Sequence, residues 1–334
     1  MQSSEKLKNI TITRFNIPNH QSGFMDQSVA FIFYAFSVFS FVKNKDYDLV
    51  VASSSRMMTA FLGALISNKK KIKLFLDIRD IFLDTIEDIF SGIKKIIFLF
   101  IIRLIENYTI NKASIINLVS IGFKNYFKKR YPSKKLLFCT NGIDPIFLKY
   151  SFTKTSNNKN ILLYAGNIGL GQGLDKIIPE IAKELKNDWD FVIIGDGGRK
   201  KDLISKLKLR SLKNVFIINP VKQKSLLDYY NRADVLFLHL NDFKAFEKVL
   251  PSKIFEYAAT EKPILAGVSG YAKIFIEKEI FNAQIFTPCD SKSAIEALKN
   301  LKLDQIDRTS FKKKFNRKAT SHNLAKEIIQ LIQI

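Results

Sequence analysis

Cysteine is scarce in this chain: Cys139 and Cys289 are the only two in 334 residues. They lie far apart and belong to no CxxC or other metal-spaced pattern, which excludes a disulfide framework and a cysteine-based zinc module. Histidine is equally thin. His20, His239 and His322 stand singly, so no His/Cys/Asp cluster has metal-ligand spacing. No apolar run reaches the ~20 residues that a spanning helix needs. The two longest, at 29–42 and 96–105, fall short, and Arg103 interrupts the second. They read as half-buried helices or as interfacial helices on anionic lipid, a use that Lys94 and Lys95 favour. The opening MQSSEKLKNI has no apolar signal core. The expected location is therefore cytoplasmic, including the inner face of the cytoplasmic membrane. Walker and GxSxG patterns are missing, as is any repeat of solenoid period.

Acidic residues are the minority charge. Against 53 Lys and Arg there are 31 Asp and Glu, a net charge of +22. The excess is spread evenly, with 22 basic and 11 acidic residues in 1–150 and 31 and 20 in 151–334. That spread suits anionic partners such as a membrane surface or a phosphorylated substrate. A nucleic-acid partner is not expected, because no recognition motif accompanies the dispersed charge. Apolar residues make up 47%, so the chain is globular and long enough for two domains.

The second half alternates regularly. Short apolar runs at 161–166, 191–195, 214–219, 235–240, 263–268 and 283–288 read as strands covered on both faces. Helical stretches at 173–186, 198–209, 223–232, 252–260, 270–279 and 291–300 separate them. This rhythm predicts an α/β fold with a doubly wound parallel sheet. The first half repeats it less cleanly, with strands expected at 9–15, 48–53, 72–80, 114–120 and 136–142. Its helices are expected at 25–43, 56–67, 86–109 and 121–130. The apolar-poor stretch 151–160 reads as a linker. The predicted domains are 1–150, 151–304, and a C-terminal helical segment 305–334 that packs back toward the first.

Ligands of open parallel sheets sit beyond the carboxyl ends of the strands. Three loops there have ligand character. Asn167-Ile168-Gly169-Leu170-Gly171-Gln172-Gly173 follows the first strand of the second half; its small residues let backbone N–H groups approach a phosphate. Asp196-Gly197-Gly198-Arg199 follows the next strand after Gly195. Pro251-Ser252-Lys253 opens a short helix, with Ser252 expected to cap it. Lys253 and Glu256 share one helix face, placing a cation and a carboxylate side by side. The Asp188-Trp189-Asp190 triplet matches a metal-binding DxD pattern, but it precedes its strand at the opposite sheet edge and reads as a loop. His239 ends a buried strand and reads as a satisfied core histidine ahead of a substrate contact.

The runs YAGNIGLGQGLD, IGDGG, NVFIINPV, ADVLFLHL and LPSKIFEYAATEKPILA occur in an order that resembles the C-terminal domain of family 4 glycosyltransferases of GT-B fold. NLVS followed by LLFCTNGID is similar to the end of that family's N-terminal domain. The likeness covers about residues 30–330 and is nearest to bacterial surface-polysaccharide enzymes, including fucosamine-type transferases. It implies two Rossmann-like domains, with the first β-α unit of the N-terminal domain missing. It also implies transfer of a sugar from a nucleotide diphosphate sugar, UDP-linked by expectation, to a lipid-linked or glycan acceptor. Retention of configuration and no metal or other cofactor are expected, the leaving phosphate taking the acceptor's proton.

The same resemblance assigns roles. Glu256 would accept the ribose hydroxyls, and Lys253, with Ser252 and the helix amides, would hold the diphosphate. Asn167, Gly169, Gly171, Gln172 and Gly173 would contact the diphosphate or the sugar. Gly195, Asp196, Gly197 and Arg199 would border the donor. Asp80 joins Lys253 and Glu256 as a catalytic candidate, while Asp77, Arg79, Asn141 and Gly142 would face the cleft between domains. Three departures stand out. Many members carry Arg and Lys in the first glycine loop, where this chain has Asn167 and Gln172; Lys253 and Arg199 are expected to compensate in part. Many carry two Glu separated by seven residues; counting back from Glu256 reaches Lys248, with Glu247 one place off. The family's opening strand and acceptor loop are not found. These departures keep open a catalytically incomplete subunit that acts as a binding partner. A nicotinamide-dependent oxidoreductase is disfavoured, because the glycine order is GxxGxG and not GxGxxG.

Overall fold

The computed structural model describes residues 2–19, 24–54, 57–84, 92–153 and 158–333. Two parallel sheets organise it. The first contains β3 (Leu49–Ser54), β4 (Lys73–Ile78), β5 (Ile115–Leu118) and β6 (Lys135–Leu137), in that order. β4 and β5 are continuous apolar runs because helices cover both faces. Met57–Lys70 and Ile93–Lys112 lie on one face, enclosing Leu74, Leu76, Ile116 and Leu118. The helix Arg317–Gln333 covers the other, where Leu331 meets Phe75 and Ile115.

The second sheet holds β7 (Asn160–Asn167), β8 (Trp189–Asp196), β9 (Val215–Ile218), β10 (Val235–His239), β11 (Ile264–Gly267) and β12 (Ala283–Phe286). Their order is β12-β11-β10-β7-β8-β9, all parallel. β7 therefore starts in the middle, and the chain winds outward first to one side and then to the other. The reversal lies between β7 and β10.

Most of the expected strands and helices are present, with shifted ends. The strand expected at 9–15 is not part of the first sheet. It forms β2 (Ile10–Phe15), paired antiparallel with β1 (Gln2–Leu7) in a separate hairpin. Its side chains alternate between faces, whereas a sheet strand covered on both sides would be apolar throughout. The segment 2–7 is polar and carries no strand signal of its own. The helix expected at 86–109 is described as Ile93–Lys112, with 85–91 outside the described residues. A short helix, Pro145–Lys149, was not anticipated; Pro145 is well placed at its first turn. The closing helical segment divides into Thr309–Lys314 and Arg317–Gln333.

The break between those two helices is where the chain returns to the first sheet. Ile143 N–H donates to Phe315 O at 2.7 Å, and Arg317 N–H donates to Ile143 O at 3.1 Å. Arg317 also clamps the Gly142 carbonyl through Nε and Nη2, and pairs with Asp144 at 3.1 Å. Gly142 has no room for a side chain, since a Cβ there would lie 2.7 Å from Arg317 Cα. Below this crossing, Phe255, Phe275, Phe311 and Phe315 form one ring cluster, with centroids 4.6–6.4 Å apart. Phe255 is fully buried at its centre. Phe255→Ala is expected to cost about 3–5 kcal/mol, read as a lower denaturant midpoint in a urea titration.

Candidate functional site

The crevice beyond β7 and β10 is where strand order reverses, so the connections leaving these two strands diverge and open a cleft. β7 leads through the glycine loop into the helix Leu174–Glu184. β10 leads through Asn241 and the 3-10 turn Lys244–Lys248 into the short helix Lys253–Ala259.

Two buried polar residues at the end of β10 set the shape of the glycine loop. His239, 1% exposed, meets Gln172 O through Nδ1 at 2.6 Å. Cys289 N–H donates to its Nε2 at 3.0 Å. Nε2 is therefore the acceptor and Nδ1 carries the hydrogen, a neutral imidazole with both nitrogens used. Burial lowers its pKa to about 4, with nearby Lys176 acting the same way and the Gln172 carbonyl opposing. Asn241 donates through Nδ2 to Leu170 O at 2.8 Å and through its backbone N–H to Gly171 O at 2.8 Å. Its Oδ1 accepts from Lys176 Nζ at 2.9 Å. Gly173 takes a left-handed φ of 56° against the Asn241 side chain. Reading the sequence left the role of Asn241 unseen. The available signal was a polar pair at the end of an otherwise apolar strand, which must find partners when buried.

The loops after β7 and β8 are laced together. Ile168 N–H donates to Asp196 O at 2.7 Å, and Arg199 N–H returns to Ile168 O at 2.9 Å. Gly195, with φ 153°, packs so tightly that a Cβ would lie 1.8 Å from Gly166 O. Within the glycine loop, Gln172 Oε1 accepts from Asn167 Nδ2 at 2.9 Å and from Gly169 N–H at 3.3 Å. Asn167 and Gln172 thus brace the loop from within.

An open cleft of about 350 Å³ brings together Gly166, Asn167, Gly195, Asp196 and Lys253, with Pro220 and Val221 on its wall. Lys253 Nζ meets Glu256 Oε2 at 2.9 Å, and Tyr230 OH donates to the same oxygen at 3.3 Å. Glu256 Oε1 has no partner among the described residues, so it can accept from a hydroxyl. Ser252 does not cap the helix as expected: its backbone is already helical and its side chain makes no cap bond. The turn begins one residue earlier, where Ile254 N–H donates to Pro251 O at 3.2 Å. Arg199 is not on the cleft wall; its Nη1 pairs with Asp202 at 2.7 Å. Asp188 and Trp189 lie at the opposite, amino edge of β8, where Asn160 N–H donates to Asp188 O.

The first sheet contributes a second polar cluster at its carboxyl edge. Asp77, 6% exposed, accepts from Ser53 Oγ, Arg79 Nε and Asn117 Nδ2 at 2.9, 3.1 and 2.8 Å. Arg79 Nη1 reaches on to Asn141 Oδ1 at 3.0 Å. Asp80 stands beside it, half-buried. Burial raises its pKa, the Ile81 N–H opposes, and the Asp84 charge adds to the rise. Asp84 pairs with Lys248 at 2.6 Å across the two halves. Ser120 Oγ donates to Lys248 O at 2.6 Å in the same contact. Lys248, at the place where a second Glu would stand, is therefore turned to the first half, and Glu247 is exposed.

Two parallel α/β sheets, with a glycine loop and a Lys–Glu pair at the reversal of the second, define an α/β protein of GT-B architecture. The chain belongs to the family glycosyl transferases group 1, whose model matches residues 149–318. It is 30% identical over 143 residues to the putative colanic acid biosynthesis glycosyl transferase WcaI of Escherichia coli K12. That match covers 42% of this chain and 34% of WcaI, about a third of the relative's length. Solved structures share the fold. Sucrose-phosphate synthase from Thermosynechococcus elongatus superposes with a TM-score of 0.72 at 12% identity, covering 90% of this chain and 78% of that one. Anabaena HepE in complex with UDP and glucose gives 0.68 at 16%, covering 93% and 84%. The lipopolysaccharide outer core galactosyltransferase WaaB gives 0.61 at 13%, covering 91% and 81%.

Two outcomes follow. Gly195→Ala is expected to lower the melting temperature and weaken any ligand of the cleft, because the β8 turn must move off Gly166. The second concerns pH. The unfolded His239 takes a proton near pH 6.5 that the folded one refuses until about pH 4. Its contribution is full above 6.5 and is lost as pH falls toward 4, on the order of 3 kcal/mol. Denaturation midpoints measured across that range are expected to vary less in His239→Gln than in the unaltered chain.

Proposed function

We propose that this protein transfers a sugar from a UDP-linked donor to a hydroxyl of a lipid-linked or glycan acceptor in surface-polysaccharide synthesis, with retention of configuration. The observation that carries the reading is that Lys253, ion-paired to Glu256 at 2.9 Å, meets the closely packed Gly166–Gly195 backbone in one cleft at the strand reversal. Residues 151–304 are the donor domain in this proposal, 1–150 the acceptor side, and 305–334 the strap between them.

Glu256 Oε1 accepts the ribose hydroxyls, while Oε2 stays with Lys253 and Tyr230. Lys253 and the amides of the glycine loop meet the charge that develops on the departing diphosphate, without a metal ion. The loop is fixed in advance by His239 and Asn241, and Lys253 by Glu256, so little reorganisation accompanies the reaction. Gly195, Asp196 and Gly197 border the nucleoside. Arg79 and Asp80 face the acceptor, and Asn141 and Gly142 fix the crossing between the halves. The leaving phosphate takes the acceptor's proton, and closure of the two halves on each other excludes water. The family relative WcaI carries a colanic acid description, and HepE was solved with UDP and glucose; both support the choice of donor and pathway. The acceptor is reached at the inner face of an anionic membrane.

A second reading has a specific observation behind it. The glycine loop holds no cation, and Lys248 is tied to Asp84. A chain that binds donor without turning it over would suit that arrangement.

The test is thermal stability with UDP, GDP, ADP and NAD added separately, followed by calorimetry. UDP is expected to stabilise selectively, since a ligand of the folded state alone raises its stability. Lys253→Ala and Glu256→Ala are each expected to weaken UDP by about tenfold or more, a loss of ~1.4 kcal/mol. Stabilisation by NAD alone, or unchanged UDP affinity in both variants, overturns the assignment. UDP binding without sugar transfer to any lipid-linked or glycan acceptor selects the second reading.

A further inference from the structure

We infer that the outer face of the helices Phe24–Val42, Met57–Lys70 and Ile93–Lys112 docks on an anionic phospholipid bilayer, and that the groove between the first two takes one hydrocarbon chain of that bilayer. The inference deepens the membrane partner proposed above and rests on that reading. It gives the partner a definite place on the molecule.

Two of these helices are apolar on both sides. Their inner sides feed the core through Ala30, Ile102 and Ile110. On the outer side, Val29, Ile32, Phe33 and Phe36 form a stripe at helical spacing, 46–73% exposed. Ile96, Ile97, Phe100, Ile101 and Leu104 form another, 47–67% exposed. Met57–Lys70 lies between and joins the stripes, through the groove on one side and the Phe61–Tyr108 ring contact at 5.7 Å on the other. A water-exposed helix carries one apolar face and one polar face. A continuous exposed apolar surface of this kind marks a contact site.

The groove decides what the contact is with. It holds about 260 Å³ and is lined by apolar side chains alone, including Phe31, Phe36, Phe39, Met58, Phe61 and Leu65. A sugar, a nucleotide or a peptide backbone would bury polar groups there without partners, at a cost of some kcal/mol each. A hydrocarbon chain would not. Cations stand at one end. Lys70 Nζ donates to Lys43 O and Lys45 O at 2.8 and 2.6 Å, gathering the ends of both helices. Lys69 Nζ lies 5.6 Å over the ring of Phe39, which lines the groove, and Lys45 Nζ lies 3.2 Å over Phe41. Lys71 follows. Asp46 and Asp48 share this end, and the lysines outnumber them. An apolar slot ending in ammonium groups complements a lipid chain ending in a phosphate. The β1–β2 hairpin packs beside that end through Phe15 against Phe41, and its tip exposes Leu7 and Ile10 next to Lys6 and Lys8. No helix among the described residues is long and apolar enough to cross a membrane, so the contact lies on the surface.

The experiment is flotation of the full chain with vesicles of phosphatidylcholine alone and with added phosphatidylglycerol. Binding to the anionic vesicles only is expected. Phe36→Trp should show blue-shifted emission and quenching by lipids brominated on their acyl chains, against the constant background of buried Trp189. Phe36→Glu and Phe100→Glu should abolish flotation. Lys69→Gln and Lys71→Gln should each weaken it about fivefold, the equivalent of ~1 kcal/mol per charge. Circular dichroism melts and UDP calorimetry on the same variants separate this result from misfolding and from the donor reading; both should be unchanged. No flotation on anionic vesicles overturns the inference. So does flotation that Phe36→Glu and Phe100→Glu leave intact, or a dimer in sedimentation that Phe36→Glu dissociates, which would mean that a second copy covers the face.

Discussion

A single neutral imidazole holds together the parts of the cleft. His239 joins the glycine loop after β7 to the backbone at Cys289 after β12, using a donor on one side and an acceptor on the other. Both partners are backbone groups, so neither can rotate away. Asn241, two residues on, ties the same loop at Leu170 and Gly171. Three connections from different parts of the sheet thereby become one rigid rim. Protonation would turn Nε2 from acceptor to donor and break the Cys289 contact, so the rim tolerates only the neutral form.

Rigidity on that side matters for what the cleft can do. Backbone N–H groups and an ammonium can stabilise a developing negative charge only if they are already aimed at it. The closeness of Gly166 and Gly195 brings main chain, and not side chain, to the surface of the cleft. The Lys253–Glu256 pair then supplies a cation and a free carboxylate oxygen within one helical turn. The two halves are joined through Lys248, Asp84 and Ser120 on one side and through the strap at Ile143, Phe315 and Arg317 on the other. The first contact combines an ion pair and a hydroxyl bond with Lys248 over the ring of Tyr126 at 5.7 Å and Val249 packed against the core of the first half. The second is backbone hydrogen bonding over a phenylalanine cluster.

The molecule also separates two kinds of surface. The cleft is polar and backbone-lined. The helical face of the first sheet is apolar, with lysines gathered at the ends of two helices. Met57–Lys70 and Ile93–Lys112 run from the carboxyl edge of the sheet back toward its amino edge, because each connects two parallel strands of that sheet. A surface contact along them therefore leaves the carboxyl edge, with Asp77, Arg79 and Asp80, open beside it.

Alternation of apolar runs and helical stretches determined the second sheet from sequence, because strands covered on both faces must be apolar throughout. The glycines at 166–173 and 195–198 were legible from their clustering after strand ends, and at Gly195 and Gly197 a neighbouring main chain leaves no room for a Cβ. Lys253 and Glu256 followed from helical spacing. Other features depended on partners distant in the chain. β1 is polar, and only its pairing with β2 makes it a strand. The Ser252 side chain could be expected to cap a helix until the turn was found to start at Pro251. Asn167 and Gln172 read as replacements for missing cations, whereas the fold makes them braces for each other. Lys248 gained its meaning from Asp84, 164 residues away. Local periodicity reports how much of each residue is buried; which residue it meets is decided only when the sheets assemble.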